Sequence, residues 1–343
     1  MKLSERKKKI LQCVVDDYIS TAQPVSSKSI TEKYMPNVSS ATVRSELAGL
    51  EEMGYLTQLH TSSGRVPSIE AYRLYVAELM DRGKLTKKEL GFIKEAFIDH
   101  ADNLEEVVQS TVKVISSLTD YTSVGVPVHN DKEKILKIDL FRHKPNQALL
   151  LIVSESTLIR DRFITIPQDM TDIEIEEASE LMQRLFVNKP LGEIKKMQEG
   201  VSQEFDKYRE IFVRVVNAIE EYIDANRSEV ITEGEGKMLS NPEYSETNKV
   251  QNFLAVLNSK EKIRDLVNSG GKEGIEINIR VGGEQGDELS DCSIVTASYS
   301  SGGVNMGTYG VIGPMRMDYQ KVVTVLESIG RILEDVIKNK KDE

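Results

Sequence analysis

The sequence predicts an α+β chain. A winged helix-turn-helix opens it, and a sensor-like α/β domain follows, interrupted by a self-contained α+β block. Three observations carry this reading. Within the first 55 residues, two helix starts of the same design follow a longer amphipathic helix. Beyond residue 130, three strand-length runs lie close together, separated by turn residues. Farther on, strands and helices of a different texture resume and close in a long amphipathic helix.

Ser4 suits an N-cap, and Ile10, Leu11, Val14, Val15, Tyr18 and Ile19 form one stripe behind it. That first helix ends in the turn Thr21-Ala22-Gln23-Pro24. Val25-Ser26-Ser27-Lys28-Ser29-Ile30 is then echoed by Val38-Ser39-Ser40-Ala41-Thr42-Val43. In each copy the first Ser can cap free N–H groups. The Val before it can pack on the apolar residue five positions later, as a hydrophobic staple. Met35-Pro36-Asn37 cannot continue a helix. Helix two is therefore expected over 27–34 and helix three over 40–53, with Gly54 ending the latter in a left-handed conformation. Two short helices joined by a tight turn behind a longer one make the helix-turn-helix arrangement.

Helix three is the informative element. Val43, Leu47 and Leu50 share its core side, while Ala41, Ser45, Ala48 and Gly49 occupy the opposite side, flanked by Thr42 and Arg44, with Glu52 at the far end. Exposed helical faces normally carry long charged side chains. A small, nearly uncharged face suits a helix lying in the major groove of double-stranded DNA, because bulk would hold it off the base edges. Arg44 can pair with guanine, hydroxyls can read donors or acceptors, and alanine can meet a thymine methyl. The helix alone leaves open that this face packs on another helix. Residues 55–59 read as a strand, His60-Thr61-Ser62-Ser63-Gly64 as a turn, and Arg65-Val66 as a short return strand before Pro67. A hairpin after such a helix is a wing. Arg65 beside a flexible Gly64 suits a minor-groove or phosphate contact; the alternative is an ordinary loop with one solvated Arg. The candidate DNA contacts are Ser39, Ser40, Thr42, Arg44 and Ser45 in the groove, His60, Ser63 and Arg65 in the wing, and Lys28 on phosphate. Helical spacing resumes from Ala71 to Met80.

The stretches LSERKKKILQ, VVDDYISTA, PVSSKSI, EKYMPNVSSATVRSELA, LEEMGYL, HTSSGRVPS and EAYRLYV closely resemble the HrcA repressors, across the whole first domain. The resemblance implies repression of chaperone operons by a homodimer on an inverted-repeat operator known as CIRCE. It also implies a winged-helix domain, a GAF-like domain and an inserted dimerisation domain, with the chaperonin helping to keep the repressor active. Three departures stand out. This chain has Ser45 where the family commonly has Asn, Leu59 where it has Pro, and Ile69-Glu70-Ala71 where it has Asp-Lys-Gly. Ser45 lies on the groove face, so one base contact is expected to differ.

The remaining periodicities predict helices over 83–119, a strand over 121–128, and an antiparallel meander over 135–141, 148–154 and 157–164. Helices follow over 172–187 and 204–226. A strand over 229–232, a helix over 250–267, strands over 275–281, 292–299 and 307–312, and a helix over 319–338 complete the chain. The expected domains are 1–82 for DNA binding, 83–130 with 226–343 for the split GAF-like domain, and 131–225 for the inserted dimerisation domain.

Net charge is −11, which by itself argues against a nucleic-acid binder. Residues 1–82, however, hold eleven Lys/Arg against ten Asp/Glu, so all the excess acid lies outside them. An acidic body weakens non-specific binding and leaves DNA to a limited contact set. Cys13 and Cys292 lack disulfide or metal-ligand spacing and are expected as free thiols in a reducing cytoplasm. The N-terminus does not read as a secretory signal, and no apolar run suits a membrane span. His100, His129 and His143 lack partners at ligand spacing. The Gly-rich stretches 269–274 and 282–286 lack phosphate-loop or dinucleotide spacing and read as hairpin turns. No nucleophile elbow or HExxH is present. No enzyme activity and no cofactor are therefore expected. The rival to an operator-bound repressor is a metabolite-responsive regulator with a ligand pocket in the C-terminal domain.

Overall fold

The computed structural model describes residues 3–58, 64–98, 104–127, 134–154, 159–194, 207–227, 230–241, 244–267, 274–283, 289–301 and 304–341. The chain divides into two compact units. One comprises Met1–Ala101, Val107–Val126 and Val230–Glu343; the other comprises Asp102–Glu106 and Pro127–Glu229.

The first unit opens with α1 (Glu5–Thr21), whose cap Ser4 accepts from the Lys7 N–H at 3.3 Å. Ala22 closes it in a left-handed conformation, φ 53°, donating to the Tyr18 carbonyl. Helices α2 (Ser27–Lys33) and α3 (Ser40–Glu52) are capped by Ser26 and Ser39. Ser26 Oγ accepts from the Ser29 N–H at 3.0 Å and Ser39 Oγ from the Thr42 N–H at 3.1 Å. Val25 and Ile30 are buried as the staple requires, and Gly54 at φ 80° ends the α3 turn. Strands β1 (Leu56–Gln58) and β2 (Arg65–Pro67) form an antiparallel hairpin, with Leu56 opposite Pro67 and Gln58 opposite Arg65. Then α4 (Ile69–Leu74) runs into a single π-helical turn, Tyr75–Leu79, where regular helical spacing is expected from sequence. Within that turn the Tyr75 hydroxyl donates to Asp16 Oδ1 at 2.6 Å, tying the exit of the head back to α1.

Helices α5 (Lys87–Ile98) and α6 (Leu104–Thr119) lead to β3 (Thr122–Val126). The second unit then follows. Its strands β4 (Ile135–Lys144), β5 (Gln147–Ser154) and β6 (Ile159–Thr165) pair antiparallel in that order. Along β5 every second residue is buried, and Ala148, Leu150 and Ile152 face inward. They share a core with α7 (Asp172–Phe186) and α9 (Arg209–Arg227), in which Phe186 stacks on Phe212. A capping box formed by Thr171 and Glu174 starts α7. The short α8 (Leu191–Ile194), after Pro190, has no expectation in the sequence pattern.

The chain then re-enters the first unit with β7 (Ile231–Glu233), which pairs antiparallel with β3. Helices α10 (Glu235–Leu239), α11 (Thr247–Leu257) and α12 (Lys260–Val267) precede β8 (Gly274–Val281), β9 (Cys292–Ser301), β10 (Val304–Pro314) and the closing α13 (Tyr319–Lys341). The single helix expected over 250–267 is two, because the chain breaks at Asn258–Ser259 and Ser259 Oγ caps α12 at the Lys262 N–H. The five strands lie in the order β7-β3-β10-β9-β8, all antiparallel. Of the two Gly-rich stretches, the second joins the antiparallel pair β8 and β9, with Gly282 at φ 43° and Gly283 at φ 67°. The first lies on a helix-to-strand connection between α12 and β8 rather than a hairpin, and residues 268–273 fall outside those described.

One face of this sheet buries Val295, Ala297, Tyr299, Tyr309 and Val311 against α13 residues Val322, Leu326, Ile329 and Leu333. The same apolar cluster continues through Tyr72 and Tyr75 to the α1–α3 core, Ile10, Val14, Ile30, Leu47 and Leu50. The other face packs Val124, Ile294 and Ile312 on Met238, Phe253 and Ile263. Polar links also join the head to this sheet and to α13. The Arg73 guanidinium donates to the Gly282 carbonyl at 3.1 Å, and Arg82 pairs with Glu327 at 2.9 Å.

Candidate nucleic-acid interface

The head is positioned from its buried residues outward. Val43, Leu47 and Leu50 anchor α3, which leaves Ala41, Arg44, Ser45 and Glu52 exposed and Ala48 and Gly49 half-buried. Through the first two turns that face is made of the small residues Ala41, Ser45 and Ala48, with Arg44 at its flank. Arg44 has no ion-pair partner among the described residues, so its guanidinium is available to an incoming acceptor. Ser45 stands exposed beside it on the same face.

The remaining groove candidates are partly committed to the fold. Ser39 Oγ holds the helix cap and lies 2.8 Å from Thr42 Oγ1, so the two hydroxyls form one polar group at the α3 N-terminus. Ser40 turns inward: its Oγ is 3.1 Å from Ser27 Oγ, linking α2 to α3. Lys28 projects from the first turn of α2 with its side chain 79% exposed and a loose 3.8 Å pairing to Glu32.

Arg65 sits at the root of the hairpin. Its backbone exchanges two hydrogen bonds with Val25, both 2.8 Å, and its guanidinium forms a 2.8 Å ion pair with Glu51 at 19% side-chain exposure. Gly64 is needed there for closeness rather than flexibility. A Cβ at that position would stand 2.5 Å from the Val25 carbonyl oxygen, and its φ is outside the left-handed region. His60 and Ser63 lie outside the described residues.

Two constellations escape the sequence pattern. Asp17 is buried and accepts from Lys33 Nζ at 2.7 Å, the Tyr34 hydroxyl at 3.2 Å and Ser29 Oγ at 3.3 Å, fastening α2 to α1. Burial and the Asp17 carboxylate push the Tyr34 phenol up to about 12, which keeps it a donor. The second constellation joins the first turn of α1 to the middle of α3. Lys7 Nζ reaches Glu46 Oε2 at 2.7 Å and lies where a side chain on Gly49 would begin, 2.6 Å from a Cβ there. Arg6 stands 4.0 Å from the same carboxylate. The only sequence signal for either is a carboxylate or glycine where an amphipathic pattern does not need one.

Among the described residues no group of three or more His, Cys, Asp or Glu is placed to hold a metal, and no helix is long and apolar enough to cross a membrane. Both cysteines are buried and free; burial pushes the Cys292 thiol up to about 11, beside the Tyr244 hydroxyl.

The geometry defines a class first: α+β proteins in which a three-helix head with a two-stranded hairpin is packed beside a larger antiparallel sheet. Comparison with known proteins then narrows it. The family described as HrcA protein C terminal domain matches residues 105–323. The protein called heat-inducible transcription repressor HrcA from Pelotomaculum thermopropionicum is 34% identical over 98% of each chain. Its namesake from Carboxydothermus hydrogenoformans is 35% identical, covering 98% of this chain and 99% of the relative. The chain belongs to the HrcA family. A crystal structure of a hypothetical protein, at 21% identity, shares the fold with TM-score 0.66 over 98% of this chain and 99% of the other.

Proposed function

We propose that this chain is a heat-inducible transcriptional repressor that binds DNA in the cytoplasm. In this reading residues 1–82 form a winged helix-turn-helix that places α3 in the major groove. Residues 83–130 and 226–343 form a GAF-like domain, and residues 131–225 an inserted dimerisation domain. The homodimer sets two heads on an inverted-repeat CIRCE operator of chaperone operons, and the chaperonin supports its activity. Ser39, Thr42, Arg44 and Ser45 read the groove, with Lys28 on phosphate. Ser40 contributes through its backbone N–H at the α3 start, since its hydroxyl is engaged by Ser27. Arg65 holds the wing root against α3, and His60 and Ser63 extend the wing contact.

One observation carries the reading: α3 is anchored by three buried residues and turns outward a face of Ala41, Ser45 and Ala48 beside an uncommitted Arg44. Such a face fits base edges and has little to offer water. Family membership supports the repressor role, through relatives that bear that name. The test is a salt-dependent titration of the full chain on an inverted-repeat duplex and on a scrambled duplex of equal length. Strong preference for the repeat with two protomers per duplex is expected. Equal, salt-sensitive binding to both would overturn operator recognition by the chain alone.

A further inference from the structure

We propose that Arg6 is a DNA-backbone contact, presented at the rim of the α3 groove face by a Lys7–Glu46 ion pair that positions it. This rests on the DNA-binding reading above and adds a residue to it.

The geometry starts from Gly49. At about 100° per residue, Gly49 lies some 40° around the helix from Ser45, on the edge of the exposed face, and Glu46 lies a further 60° toward the core. Because Gly49 has no side chain, the Lys7 ammonium can lie against α3 there and still reach Glu46 at 2.7 Å. That pair is half-buried, with side chains 24% and 20% exposed, and it joins positions 39 residues apart. It therefore fixes the first turn of α1 against the middle of α3.

Arg6 is the next residue on α1, and the same pair fixes where it stands. Its guanidinium is 4.0 Å from Glu46 at 59% exposure, so one edge is loosely attracted to the carboxylate and the rest faces water. Lys7 is satisfied at short range; Arg6 is not. The charge balance decides what this rim can do. Glu46 alone would repel phosphate from one flank of α3. Lys7 cancels that charge, and Arg6 leaves the flank positive. A helix seated in the major groove has a phosphate strand along each flank. A guanidinium with a free edge suits phosphate through two parallel N–H donors, and leaving a 4.0 Å surface pairing costs little. The opposite flank differs, because Arg65 is tied to Glu51 at 2.8 Å with 19% exposure.

The test uses the full chain and binding titrations over a range of salt on the inverted-repeat and scrambled duplexes. Arg6→Ala should weaken both by the same several-fold factor. It should also flatten the slope of log K against log salt by about 0.9 for each phosphate no longer neutralised, so by about 1.8 for a dimer. Arg6→Lys should restore most of the slope but less of the affinity, since a point charge lacks the paired donors. Lys9→Ala is the control. Lys9 carries the same charge one turn on but donates to Gln12, which in turn donates to Asp81, so its ammonium is engaged within the protein and the slope should hold. An unchanged slope in Arg6→Ala overturns the proposal. So does an equal weakening in Lys9→Ala, which would make the effect one of net charge. A weakening confined to the repeat would assign Arg6 to base reading instead and also overturn it. Failure of the unaltered chain to bind either duplex would overturn the DNA-binding reading itself, a different result from a bound but unresponsive variant.

Discussion

Arg44 shows how much of the interface is decided by what a side chain does not touch. It is exposed on α3 and has no ion-pair partner among the described residues, so no ion pair with any of them must be broken when it meets a base. Arg44→Ala should cost roughly 1–3 kcal/mol on the inverted repeat and much less on a scrambled duplex. Equal weakening on both would make Arg44 a phosphate contact. Ser39 is the counter-case, because the same oxygen that would face the groove also holds the α3 cap by accepting from the Thr42 N–H. Ser39→Ala should lower stability by about 1 kcal/mol, read as a fall in melting temperature, before any effect on DNA is considered. Ser45→Ala should leave melting unchanged and alter binding alone. The caps at Ser26 and Ser39 are legible in the sequence because a cap is a local event, settled by three or four neighbouring residues. The inward turn of Ser40 is not, since its partner Ser27 belongs to another helix. Nor is the meeting of Lys7, Gly49 and Glu46, in which a small residue read as clearance for DNA also makes room for an ammonium.

At the scale of the element, the hairpin depends on one close approach. The Val25–Arg65 backbone pair binds β2 to the turn between α1 and α2, and Gly64 lies directly against that pair. Backbone atoms cannot rotate away as a lysine tip can. In Gly64→Ala the Cβ would stand 2.5 and 2.6 Å from the Val25 carbonyl oxygen and carbon, so β2 must move. A destabilisation of about 1–3 kcal/mol is expected, seen as a lower denaturant midpoint at unchanged slope. Binding should weaken on the repeat and scrambled duplexes alike, because the wing root shifts without any base contact being removed. Stability equal to the parent would show that the turn yields at no cost. The hairpin strands are visible in the sequence from the turn residues between two apolar runs. The division of α11 from α12 is hidden because apolar spacing runs on through Asn258–Ser259, and only the Ser259 cap marks the break. The π-helical turn at Tyr75–Leu79 has no signature in spacing at all; it coincides with the Tyr75–Asp16 hydrogen bond, which joins elements far apart in sequence.

Across the whole first unit, pairing between distant helices is what periodicity withholds. The stripes of α5 and α13 announce two amphipathic helices without saying that they meet, yet Glu89 accepts from Lys321 across 232 residues. The Lys321 ammonium, with the Thr86 N–H and hydroxyl, holds the Glu89 carboxyl down to about 2 from an ordinary 4.5. The consequence for stability has a definite sign. Between those two values the unfolded chain takes up a proton that the folded chain refuses, so acid favours unfolding. The stabilisation is complete above about 4.5 and disappears as pH falls through that window toward 2. Glu89→Gln cannot ionise, so it should melt below the parent at pH 7, and the gap should narrow as pH drops through the window and close near its lower end. Melting curves of the two proteins across pH 2–7 test this. A gap that stays constant through the window would mean that the carboxylate charge is not what joins α5 to α13, and that the cost of the substitution lies in the Thr86 cap alone.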